Sequence, residues 1–114
     1  AMAIASRAYT LWRERLMHLW VKHGTQPASL AFPERFEQAQ AAGLGIAGAP
    51  STVRQWVEEE VARTGINYLV CRMAFGDLSY EESARSTRLF GDQVLAPLSR
   101  APVGAAADSS ALTA

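Results

Sequence analysis

The sequence predicts an α/β chain in the order helix-helix-strand-helix-strand-helix, its two strands parallel. Three observations predict it. Apolar residues recur at spacings of three and four over 4–23, 51–64 and 79–95, the period of an amphipathic helix. The run INYLVCRM at 66–73 holds β-branched and aromatic residues with no turn former after Asn67, the composition of a strand covered on both faces. Strands that alternate with helices imply a parallel sheet, with right-handed crossovers between its strands.

The first helix carries Ile4, Ala8, Trp12, Leu16, Leu19, Trp20 and His23 on one stripe and stops at Gly24. A loop from Thr25 to Phe32 leads to Pro33, which suits the first turn of a short helix bearing Phe36 and Ala39, ended by Gly43. Leu44-Gly45-Ile46-Ala47 is brief and uncharged enough for a buried parallel strand. The helix over 51–64 sets Val53, Trp56, Val57 and Val61 against a charged face with a Glu59/Arg63 pair, and Gly65 ends it. After the second strand and a turn at Phe75-Gly76-Asp77-Leu78, Ser79-x-x-Glu82 is a capping box. It opens a last helix with Tyr80, Ser83, Thr87, Phe90 and Val94 inward, which Pro97 stops.

With 114 residues there is room for one domain. Eleven Lys plus Arg balance eleven Asp plus Glu, and the cations, ten of them Arg, are scattered. That excludes the clustered positive field that nucleic acid or an anionic membrane needs as a partner. No apolar stretch reaches the ~18 to 20 residues of a membrane span, and the start lacks the basic-then-apolar order of a signal peptide, so the expectation is a cytoplasmic protein. Ala1 ahead of Met2 reads as the remnant of a cleaved tag. One cysteine, Cys71, leaves no internal disulfide and no multi-cysteine metal cluster.

The order of several short motifs carries a resemblance: GIAGAPSTV at 45–53, GINYLV at 65–70, FGDL at 75–78, EESARS at 81–86 and LF at 89–90. Together they resemble the C-terminal segment of the luciferase-like flavin-dependent monooxygenases, a TIM-barrel family. AIASRAYTLW at 3–12, followed by LMHLW at 16–20, is similar to an earlier helix of that barrel. The resemblance spans residues 3 to 98. It implies a partial (β/α)8 TIM-barrel fragment with 44–47 as the seventh strand and 66–73 as the eighth. It also implies FMN or a deazaflavin as cofactor and oxidation of a substrate by molecular oxygen. On this division 2–98 is the partial barrel segment and 99–114 a low-complexity tail. A complete barrel takes eight strands and roughly 250 residues, so a chain that starts at Met2 supplies two strands and lacks most of a flavin pocket. Two departures stand out. Ala49 occupies the Ser/Thr place of the family's Gly-Ser/Thr-Pro, and Val94-Leu95-Ala96-Pro97 is one residue longer than its Val-x-Pro.

The cofactor-binding candidates are Gly48, Ala49, Ser51, Thr52, Arg72 and Phe75; no catalytic residue is assigned, and no metal site. At 48–52 a strand would run into an uncapped helix start, whose free N–H groups can take a flavin phosphate. The alternative is an ordinary strand-to-helix turn with Pro50 at the first helical position. Arg72 and Phe75, at the end of the second strand, can meet an anion and a ring; alternatively Arg72 pairs with Asp77 while Met73 and Phe75 pack. His18 and His23 stand ~140° apart around a helix and cannot share a metal as an i, i+4 pair would. Cys71 reads as a small buried hydrophobe, and Glu58, Glu59 and Glu60 as a solvated face. No G-x-S-x-G, P-loop, G-x-G-x-x-G or H-E-x-x-H motif occurs.

The first functional expectation is the C-terminal part of a luciferase-like flavin-dependent monooxygenase, without catalytic competence alone. The alternatives are a non-catalytic self-associating remnant, or one piece of a split barrel completed by a second chain. A homodimer or higher homo-oligomer is expected, because the strand at 66–73 finds at most one neighbour within this chain and the first helix carries two tryptophans.

Overall fold

The computed structural model describes residues 1–27 and 32–100. The order is α1 (Met2–Lys22), α2 (Phe36–Ala41), α3 (Pro50–Thr64), α4 (Tyr80–Phe90), a π-helical turn (Gly91–Leu95) and α5 (Ala96–Arg100). Among the described residues there is no strand, which corrects the α/β expectation and its TIM-barrel form. The reason is physical. β-rich composition describes a fit to a pleated surface and becomes a strand only when a neighbouring backbone completes the ladder. At 44–47 the Ala47 N–H donates instead to the Gln40 side chain at 2.9 Å. At 67–73 the backbone makes no hydrogen bond to any described residue.

α1 buries Ala5, Ala8 and Tyr9, an i, i+3, i+4 set, with Met2 and Trp12 packed beside them. The stripe is therefore turned from the one led by Ile4, which is exposed along with Leu19. His18 is exposed, and His23 closes the helix with its N–H donated to the Leu19 carbonyl. Against this face α2 sets Phe36 and Ala39. The Tyr9 and Phe36 rings meet edge to face at 5.7 Å between centroids, and Trp12 meets Phe32 the same way at 5.2 Å. Tyr9 donates its hydroxyl to the Pro33 carbonyl at 2.7 Å, and Arg13 donates Nε–H to the Phe32 carbonyl at 2.9 Å, fixing the incoming chain on α1.

α3 starts at Pro50, where no N–H is needed, and ends at Gly65 in the left-handed region (φ 70°). Of its predicted stripe only Val57 is buried; Val53 and Trp56 are half-buried and Val61 is exposed. Its surface pairs are Arg54 with Glu58 and Arg63 with Glu60, while Glu59 accepts from Gln55, so the Glu59/Arg63 pair does not form. α4 opens on the predicted capping box: the Ser79 hydroxyl accepts the Glu82 N–H at 3.1 Å, and the Ser79 N–H donates to the Glu82 carboxylate at 3.0 Å. Tyr80 and Thr87, expected inward, are exposed; Phe90 is half-buried and Val94, packed near α3, is buried.

Pro97 does not stop the helix, which continues through α5. A proline inside an α-helix lacks its N–H and presses on the carbonyl four residues back. The π-helical turn just before it widens the spiral by one residue and lets the helical path go on. No described helix is long and apolar enough to cross a membrane. Residues 101–114, most of the tail set apart in the sequence, lie outside the described residues.

Candidate functional site

The helices enclose an open concavity of about 1050 Å³, walled by α1 and α2 on one side and by α3, α4 and the π-helical turn on the other. Trp12, Phe36, Trp56, Leu69, Leu89 and Phe90 give it a largely apolar wall. Of the residues singled out in the sequence, Gly48, Ala49, Arg72 and Phe75 line it together, whereas Ser51 and Thr52 stand outside it, exposed.

Each candidate takes its position from local chemistry. Ala49 is the N-cap of α3, and having no hydroxyl it makes no side-chain cap. A Cβ on Gly48 would meet the Thr52 side chain at 3.1 Å, so the turn folds back tightly on the first turn of α3. Phe75 packs on the Ala5–Tyr9–Phe36–Ala39 cluster, as its alternative reading held. Arg72 is exposed and does not pair with Asp77. Cys71 is exposed as well, correcting the buried hydrophobe expected there; its neighbours still exclude enough water to push the thiol above its ordinary pKa, away from the reactive thiolate.

Asp77 is taken by Arg7. The guanidinium reaches Asp77 at 3.1 Å and Glu82 at 2.7 Å, tying α1 to the start of α4. Arg7, then the Ser79 N–H, holds the Glu82 carboxyl below its usual range, and the two carboxylates raise Arg7. Beneath this clip the backbone closes in: Gly76 has φ 60°, and a Cβ there would lie 1.9 Å from the Ala8 carbonyl oxygen. A second clip runs from the Ser6 hydroxyl to Glu37 at 2.9 Å; Glu37 is also lowered, first by its own backbone N–H and then by Ser6. Sequence reasoning missed both clips, since no local pattern joins Arg7 to residues 70 and 75 positions away.

What the concavity can do chemically is limited. Among the described residues no group of three or more His, Cys, Asp or Glu could hold a metal ion, and no buried side-chain polar atom lacks a partner. Its wall suits apolar contact, with Arg72, Arg85, Glu81 and Glu82 at its polar parts.

No protein-family model matches the chain, and no solved structure matches it. A curated relative, uncharacterized protein y4wF of Sinorhizobium fredii (strain NBRC 101917 / NGR234), is 30% identical over 83 residues. The match takes in 73% of this chain and 24% of the relative, so the chain spans about a quarter of the length of the curated relative it matches.

Proposed function

We propose that this chain is the C-terminal part of a luciferase-like flavin-dependent monooxygenase and does not turn over substrate alone. The observation that carries the second half is the concavity: it is open, where a bound cofactor needs a pocket that covers most of its surface. The residues present do not fit a whole flavin. Near 48–52 the Gly48 and Ala49 N–H groups, on the concavity, and the Ser51 and Thr52 N–H groups, outside it, are without an acceptor among the described residues, and Arg72 is the candidate cation; none of the described residues closes a cavity around a ring system. FMN or a deazaflavin therefore belongs to the longer protein, with this segment as one wall of its site. The motif order at 45–90 supports that reading, as does a relative about four times as long as the matched stretch. Its place is the cytoplasm, where an exposed thiol such as Cys71 stays reduced.

The test uses both proteins. Full-length y4wF should bind FMN, seen as quenched flavin fluorescence, and should lose it when the matched 83 residues are deleted. The chain alone should neither bind FMN at micromolar concentration nor consume oxygen with reduced FMN. Absence of flavin binding by full-length y4wF, or turnover by this chain alone, contradicts the reading.

A second reading, a self-associating protein without catalysis, is favoured by a different observation: residues 61–72 are exposed throughout, with their apolar side chains in solvent.

A further inference from the structure

We propose that residues 66–73 pair with the same segment of a second copy, as an antiparallel two-stranded ribbon centred on Val70. This deepens the self-associating reading and does not depend on the flavin reading.

The segment is a ready template. Its backbone is unpaired from 67 to 73 among the described residues; the chain bends at Asn67, and beyond it no left-handed residue interrupts 68–73. From Tyr68 to Val70 exposure alternates, at 81%, 39% and 79%; Ile66, at 37%, lies before the bend at Asn67 and outside this pattern. Leu69 and Met73 also line the concavity, so a ribbon formed here is continuous with that apolar wall. That continuity matters, because eight residues alone fall short of the ~800 Å² per partner of a stable interface.

Symmetry and charge choose the second copy and its register. Across a two-fold axis perpendicular to an antiparallel ribbon, residues of equal parity face each other. Centred on Val70, Tyr68 faces Arg72 of the partner subunit, a cation over an aromatic face, and Leu69 faces the partner's Cys71. Centring on Leu69 would set Ile66 against the partner's Arg72. In-register parallel pairing would set Arg72 beside the partner's Arg72, a like-charge contact. The chain has no net charge to hold copies apart.

The test is sedimentation equilibrium on the whole chain from about 1 to about 100 µM, with Tyr68→Glu and Tyr68→Lys as variants. Tyr68 is largely exposed, so both should keep the parent's helical circular dichroism. The parent should dimerise. Tyr68→Glu, with a carboxylate facing the partner's Arg72 twice per dimer, should dimerise roughly tenfold more tightly, and Tyr68→Lys roughly tenfold more weakly. On mild oxidation Leu69→Cys, whose new thiol faces the partner's Cys71, should form a covalent dimer that the parent does not form. A parent that stays monomeric throughout, as it would if only a longer polypeptide fits this seam, overturns the proposal. So do two Tyr68 variants that weaken the dimer alike, two that leave it unchanged, or rapid cross-linking of the parent through Cys71.

Discussion

Two stretches of this chain are equally apolar in sequence and opposite in fate. In the region where α1, α2 and the 75–82 turn meet, every strong group is answered. Tyr9, Phe36 and Ala39 are buried against one another, the Tyr9 hydroxyl is bound, and Arg7 holds two carboxylates. Between Gly65 and Phe75 the chain carries Ile, Tyr, Leu, Val and Cys, yet its side chains are largely in solvent and its backbone from 67 to 73 is unpaired among the described residues. The difference lies in what each can find locally. A helix satisfies its own backbone and needs one face covered, which a helix a few residues away can supply. A strand satisfies nothing alone.

The largest effect that separates the regions should come from Phe36→Ala, which empties the edge-to-face contact with Tyr9 and should cost ~3 to 5 kcal/mol in urea unfolding. Val70→Ala, in the unpaired stretch, should stay within ~0.5 kcal/mol in the monomer. Equal losses at the two sites would remove the distinction. Trp56→Ala falls between, at about 1 to 2 kcal/mol, because Trp56 is half-buried on the wall of the concavity; full burial of its stripe would have implied more.

Glycine substitutions sharpen the same contrast, since Gly76 and Gly65 share a positive φ and differ in surroundings. At Gly65 a methyl meets nothing within 4 Å, and Gly65→Ala should cost about 1 kcal/mol from backbone strain. At Gly76 the same methyl runs into the Ala8 carbonyl, and Gly76→Ala should cost about 3 kcal/mol and loosen the α1 contact. Melting temperatures that fall equally would show that the 75–77 turn does not press on α1.

The smallest expected effect is electrostatic. Glu82 and Glu37 have folded-state pKa values below their ordinary 4.5, so the folded chain binds these protons less readily than the unfolded chain. The stability they contribute is present above about 4.5 and is lost as pH falls through the folded values. The parent should therefore melt at lower temperature below about pH 4.5, and Glu82→Gln should flatten that slope. An unchanged slope in Glu82→Gln would show that the Arg7 clip contributes nothing.

How much of this was legible in the sequence follows the same division. The helices were readable because their signals are local: the extent of α3, Gly65 after it, and the Ser79–Glu82 box appear as predicted, while of the α3 stripe only Val57 is buried. The strands were not, because INYLVCRM specifies a good fit to a sheet and cannot specify that a sheet is there. Pro97 misled for a related reason, since the π-helical turn that accommodates it depends on five residues before it rather than on proline itself. Of the candidate site, Gly48, Ala49, Arg72 and Phe75 share one concavity, but Phe75 serves the core, and the ion pair with Asp77 went to Arg7.

Amide hydrogen exchange on the chain at a dilution where it is monomeric tests the central contrast most directly. The amides of residues 67–73 should exchange near the rates of an unstructured peptide, while those of residues 8–13 in α1, opposite α2 and Gly76, exchange far more slowly. Protection of 67–73 comparable to that of α1 in the monomer would contradict the account, because those N–H groups would then have a partner within this chain.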